Sequence, residues 1–155
     1  MMYDTNYLHS KDIDWFFKCG TAYVHVASAG GYLPKEVNDR EKLRAIQYKV
    51  SQLPYLFSVE EIEVNEKLIN QMFNNEAKSI FAYTESFVDM ARRGFVSLDR
   101  TNVAELSDNK YHIVCRPPRS LQLEEIDLEL PSVDADKLNL ESFDDSLKLW
   151  DVFGE

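Results

Sequence analysis

The chain has 155 residues, of which 45% are apolar, 12% aromatic and 28% charged. That length can bury a core without crosslinks, and the mean hydropathy of -0.37 excludes a membrane protein. A net charge of -10, from 27 acids and 17 bases, argues against ordinary nucleic-acid binding and attachment to anionic lipid.

The charge is unevenly spread. Residues 118–155 hold eleven acids and three bases, leaving a net of only -2 on the other 117 residues. Pro117-Pro118 stands at this change of character and cannot continue a helix or an inner strand. The expected organisation is therefore a body over residues 1–117 and an acidic arm over residues 118–155.

The body opens with two aromatic and β-branched runs, residues 12–18 and 21–28, separated by Cys19-Gly20, which predicts a β-hairpin. A two-residue turn there opposes Asp14 to His25. It gathers Ile13, Trp15, Phe17, Ala22, Val24 and Val26 on one apolar face. A three-residue loop over residues 18–20 is the competing register and inverts one strand, so burial of a uniform apolar face favours the first. Ser28-Ala29-Gly30-Gly31 then reads as a loop. Asn38-x-x-Glu41 is a capping box for a helix running to about Gln52. Further on, a short strand ending near Val64 precedes a helix capped by Asn65.

Residues 76–93 carry the strongest helical pattern, with Ala77, Ile80, Phe81, Thr84, Phe87, Val88 and Ala91 at i, i+3, i+4, i+7 spacing. Residues 95–99, 103–106 and 110–115 read as strands. The order of elements predicts an α+β fold: a largely antiparallel sheet with an N-terminal β-hairpin, covering helices and an acidic C-terminal arm. In the arm, residues 121–130 alternate apolar with acidic and predict a further strand. Trp150 and Phe153 are the aromatic anchors expected to dock the chain's last segment on its own body or on a second copy.

Chemistry is sparse. Asp14 can orient the His25 imidazole and raise its basicity, the requirement for a general base. The competing reading is a cross-strand ion pair. His9 and Asp12 add nearby donors, yet their spacing matches no metal signature. The Ser28 to Gly31 loop could cradle an anion but lacks a phosphate-binding motif. Cys19 and Cys115 have neither C-x-x-C spacing nor a disulfide framework. No metal or cofactor is expected. Arg92 and Arg93, with Arg100, Arg116 and Arg119, are the local concentrations of positive charge, available to an acidic group or to the protein's own tail. With no basic leader running into an apolar stretch, a cytoplasmic location is expected.

These features point first to a non-enzymatic interaction module, of the adaptor, inhibitor or immunity-like kind, whose acidic surface meets a basic partner protein. The arm offers homo-oligomerisation as another route to a partner. A small hydrolase or transferase using His25 and Asp14 is the alternative, and an acidic nucleic-acid mimic is the third.

Overall fold

The computed structural model describes residues 1–105, 107–118 and 128–153. Its centre is a mixed sheet of seven strands: β1 (Asp14–Cys19), β2 (Ala22–Ala27), β3 (Glu63–Val64), β4 (Phe95–Arg100), β5 (Lys110–Arg116), β6 (Ser132–Val133) and β7 (Leu147–Lys148). The order is β3-β5-β4-β2-β1-β6, with β7 also on β5. Among the described residues five helices accompany it: α1 (Thr5–Ser10), α2 (Arg40–Ser51), α3 (Glu66–Met72), α4 (Ala77–Arg92) and α5 (Trp150–Phe153). The fold is α+β, and among the described strands four of the six pairings are antiparallel; β2 with β4 and β1 with β6 are parallel, so the sheet is mixed. A parallel neighbour needs a long crossover, and here residues between β2 and β4 supply it, carrying α2, α3 and α4.

The β1–β2 turn is Gly20-Thr21, one step later than the turn expected at Cys19-Gly20. Gly20 has the positive φ of 61° that a tight hairpin turn needs at its first position. The pairing becomes Trp15 with Val26, Phe16 with His25 and Phe17 with Val24. Relative to the expected register the strands shift by two residues. A two-residue shift preserves which side chains share a face, and Trp15, Phe17, Val24 and Val26 do lie together in one core cluster.

Both faces of the sheet are covered. On one, α3 and α4 place Ile69, Phe87 and Ala91 over Ala27 and Val114, while Val50 of α2 joins Phe16, Tyr23 and Phe95. On the other, Leu138, Leu147 and Leu149 from the C-terminal part and Tyr3, Leu8, Leu33 and Val37 from the N-terminal part close over Trp15, Phe17, Leu98 and Ile113. The central strands are apolar on both sides for this reason. The α4 stripe is narrower than its sequence pattern: Phe87 is 6% exposed but Phe81 is 67% exposed, so Phe81 leaves the predicted core.

Other expectations change locally. Asp39, not Asn38, caps α2 by accepting from Lys42 N at 3.2 Å. Asn38 is buried and exchanges two hydrogen bonds with the Tyr3 backbone, fastening the N-terminal segment. Asn65 precedes α3 without capping it, its amide instead donating to Ile113 O at 2.8 Å. Residues 103–105 turn instead of forming the expected strand, and Leu106 lies outside the described residues. Arg100 explains the turn. Its guanidinium donates to Asn102 O, Val103 O, Glu105 O and Asp108 O, and a chain that curls around one side chain cannot run extended. The strand expected over residues 121–130 falls mostly on residues outside the description, and 128–130 are not in a strand.

Candidate functional site

His25 comes from β2 and Asp14 from β1, on the sheet face beneath α4. In the observed register they are diagonal neighbours, Asp14 opposite Ala27 and His25 opposite Phe16. The diagonal is still within reach: His25 Nε2 lies 2.8 Å from Asp14 Oδ1. His25 Nδ1 faces Ser97 Oγ of β4 at 3.0 Å, and Ser97 also donates to Phe87 O. Carboxylate, imidazole and hydroxyl therefore stand in a line, as in a nucleophilic triad, but the line runs the wrong way for one. The Asp14 side chain is half exposed, whereas His25 is 1% and Ser97 0% exposed. A nucleophile must meet its substrate, and this hydroxyl is sealed under Phe87. The arrangement can instead fix one oxygen of a surface carboxylate.

A second buried chain lies beside it. Tyr83 of α4 donates to Asp99 Oδ2 at 2.5 Å and lies 3.0 Å from His112 Nε2, whose Nδ1 is 3.0 Å from Thr101 Oγ1. A neutral imidazole satisfies the series when Thr101 donates to Nδ1 and Nε2–H donates to the Tyr83 oxygen. Desolvation raises the Asp99 carboxyl to about 6, and burial lowers His112 to about 4. Ser97, Tyr83, Asp99 and His112 carried no sequence signal, because they meet only through the β2–β4–β5 pairing and the packing of α4.

The Ser28 to Gly31 loop is no anion cradle. Its four amides already donate within the chain: Ser28 N to Ile13 O, Ala29 N to Asp12 Oδ1, Gly30 N to Lys11 O and Gly31 N to Ser28 O. Its carbonyls face inward instead, Ser28 O and Ala29 O accepting from the buried Arg100 guanidinium. A Cβ on Gly31 would stand 2.8 Å from Arg100 Cδ, so this approach requires glycine.

Arg92 and Arg93 are engaged within the chain. Arg92 Nε donates to Phe57 O and Arg93 Nε to Leu53 O, and Arg93 pairs with Asp89. Their guanidinium carbons lie 3.8 and 4.7 Å from the Tyr55 ring centroid. Together they fasten residues 53–57 to the end of α4. Arg116 pairs with Glu63, donates to Leu140 O and Glu141 O, and lies 4.2 Å over Phe143. Arg119 is outside the described residues.

Phe153 packs edge-on against Trp15 and Phe17, with centroids 5.6 and 5.1 Å away. Trp150 is half-buried at the start of α5 and is not part of that cluster. The described residues of the arm thus rest on the chain's own sheet. His9 Nδ1 donates to Gly30 O at 2.9 Å, apart from Asp14 and His25. Among the described residues no group of three or more His, Cys, Asp or Glu side chains is placed to hold a metal ion. Burial raises both thiols, Cys115 to about 12, which removes thiolate chemistry near neutral pH. No helix of the described residues is long and apolar enough to cross a membrane. No protein-family model, curated protein or solved structure matches this chain.

Proposed function

We propose that the protein is a non-catalytic interaction module that meets a basic partner protein through an acidic surface studded with a few apolar side chains. The observation that supports this reading is that four arginines are spent on the chain's own carbonyls, whereas all but one of the described carboxylates reach the surface. Arg92, Arg93, Arg100 and Arg116 all donate to backbone carbonyls of their own chain. Among the described carboxylates, by contrast, Asp99 is the one that is buried. The outward field is acidic, and such a field steers a basic surface to a matching one.

The segment best built for contact is residues 55–60. Tyr55, Leu56 and Val59 are 48%, 37% and 55% exposed, and the exposed Glu60 follows them. Arg92 and Arg93 hold this segment from beneath. Ser58 N and Oγ both donate to Glu61 Oε1, which locks the turn. Aromatic and aliphatic anchors on a rigid support lose little conformational entropy on association.

The test begins with affinity capture at low salt and continues with the purified pair. Leu56→Ser, Val59→Ser and Glu60→Gln together should weaken association at least ~tenfold, and raised salt should weaken it further. The melting temperature should stay unchanged, because these side chains face solvent. An association indifferent to both salt and the triple substitution would sink the proposal, as would an enzymatic turnover abolished by Asp14→Asn.

A further inference from the structure

Beside Asp14 lies a groove of about 450 Å³. Tyr3, Tyr7, Phe16 and Met90 give it apolar walls, Lys11 and Arg44 bring positive charge to it, and Asp12 and Asp14 bring negative charge. Its volume is in the range of small-molecule sites and too small for a folded partner.

The cations are the unusual feature. In a chain of net charge -10, neither Lys11 nor Arg44 has a carboxylate partner among the described residues. The acids of the neighbouring segments are occupied locally. Glu41 takes the N-terminal ammonium at 2.9 Å, Asp39 caps α2, Asp4 caps α1, and Asp12 accepts from Ala29 N. A third cation stands close by: the Arg40 guanidinium lies 5.0 Å from the Tyr3 ring centroid, and its buried Nε has no acceptor. The lining is balanced in charge, two cations against Asp12 and Asp14, but cations held against aromatic walls without an ion-pair partner can still receive a carboxylate that carries an apolar body.

Two carboxylates also line the groove, Asp12, which accepts from Ala29 N, and Asp14. Asp14 Oδ1 is taken by His25 Nε2 at 2.8 Å, while Oδ2 accepts no hydrogen bond from the described residues and the side chain is 50% exposed. Gln47 Nε2 donates to Asp14 O at 2.8 Å. That bond ties α2, which carries Arg44 one turn earlier, to the strand that carries Asp14. A fixed carboxylate acceptor and unpaired cations around an apolar floor are complementary to a ligand with charges of both signs.

We propose that this groove binds a small zwitterion of the amino-acid class with an aromatic or aliphatic side chain. Its ammonium meets Asp14, its carboxylate meets Arg44 and Lys11, and its apolar body lies against Tyr7, Phe16 and Met90. His25 and Ser97 are positioning residues that keep Oδ1 of Asp14 turned inward and leave Oδ2 for the ligand.

Calorimetry and amide chemical shifts on the full chain test this with three probes: L-phenylalanine, 3-phenylpropionate lacking the ammonium, and 2-phenylethylamine lacking the carboxylate. L-Phenylalanine should bind at least ~tenfold more tightly than either fragment and shift the resonances of Lys11, Tyr7 and the Gln47 side chain. Arg44→Gln, on an exposed helix face, and Asp14→Asn, which keeps an acceptor for His25, should each lower that affinity at least ~tenfold. The Arg44→Gln melting temperature should not move. No binding of L-phenylalanine at millimolar concentration, equal binding of 3-phenylpropionate, or undiminished binding by folded Arg44→Gln would each overturn the proposal.

Discussion

Asp99 and His112 sit in one buried chain of hydrogen bonds yet respond to acid in opposite senses. The Asp99 carboxyl is raised from 3.8 to about 6 and His112 is lowered from 6.5 to about 4. As pH falls through about 6, the folded chain takes a proton at Asp99 that the unfolded chain takes only at more acidic pH, which stabilises the fold. Over the same interval the unfolded chain protonates His112 before the folded chain does, which destabilises it. Each displacement is worth roughly 3 kcal/mol, so the two largely offset. Relative to the unsubstituted chain, His112→Gln should gain melting temperature between pH 6.5 and 4, and Asp99→Asn should lose it. Thermal denaturation at three pH values across that window decides the matter, and parallel curves for all three proteins would refute it. Gly31→Ala belongs to the same scale. Its Cβ would meet Arg100 Cδ at 2.8 Å and Ser28 O at 3.0 Å, so displacing that guanidinium should cost about 1–3 kcal/mol in chemical denaturation.

Helix α4 shows what a pattern of apolar positions can and cannot specify. Phe81 and Phe87 both fit the helical spacing, but only Phe87 contacts other rings, 5.3 Å from Tyr83 and 6.0 Å from His25. Phe87→Ala should therefore cost roughly 3–5 kcal/mol and Phe81→Ala under about 0.5 kcal/mol. Equal denaturation midpoints for the two would contradict this packing. The width of a buried stripe depends on what lies opposite, which a single helix does not encode. The hairpin is the converse case. Alternation placed Trp15, Phe17, Val24 and Val26 on one face and Asp14 with His25 on the other, because a shift of two residues leaves parity intact. Turn position was less legible, since Gly20 serves equally well at the end of one turn or the start of another. The approach of Ser97 to His25, and of Tyr83 to Asp99, could not be read at all. Each depends on β2 and β4 lying parallel, and nothing local to either strand marks a parallel partner. Arg100 misled for a related reason: a strand pattern after it looked plausible until its guanidinium gathered the carbonyls of residues 102–108.

At the level of the molecule, the acidic composition after Pro117-Pro118 suggested solvation, but apolar burial dominates. Leu147 and Leu149 are 3% and 0% exposed, and each such side chain contributes about 1.5–3 kcal/mol. Charge and hydrophobicity are sorted by side, as alternation permits. Hydrogen exchange should accordingly be slow at Val152 and Phe153, whose amides donate to Leu149 O. A chain ending at Arg119 should lose cooperative unfolding in a thermal melt; a sharp transition retained by that truncation would show that the sheet stands without its cover.

The same cover has a consequence for how the protein is made. Residues 132–153, which close over Trp15, Phe17 and Leu98, are synthesised after every strand they shield. The hairpin can form as soon as it leaves the ribosome, yet β2 must wait for β4 to emerge, some tens of residues later at about 5–20 residues per second. Even then one flank of the sheet is covered only by Tyr3, Leu8, Leu33 and Val37 from the N-terminal part. For that interval the nascent chain exposes part of an aromatic-rich face, the kind of surface that chaperones shield and that associates prematurely with neighbours on a polysome. The late arrival of Leu147, Leu149 and Phe153 is the step that ends this exposure.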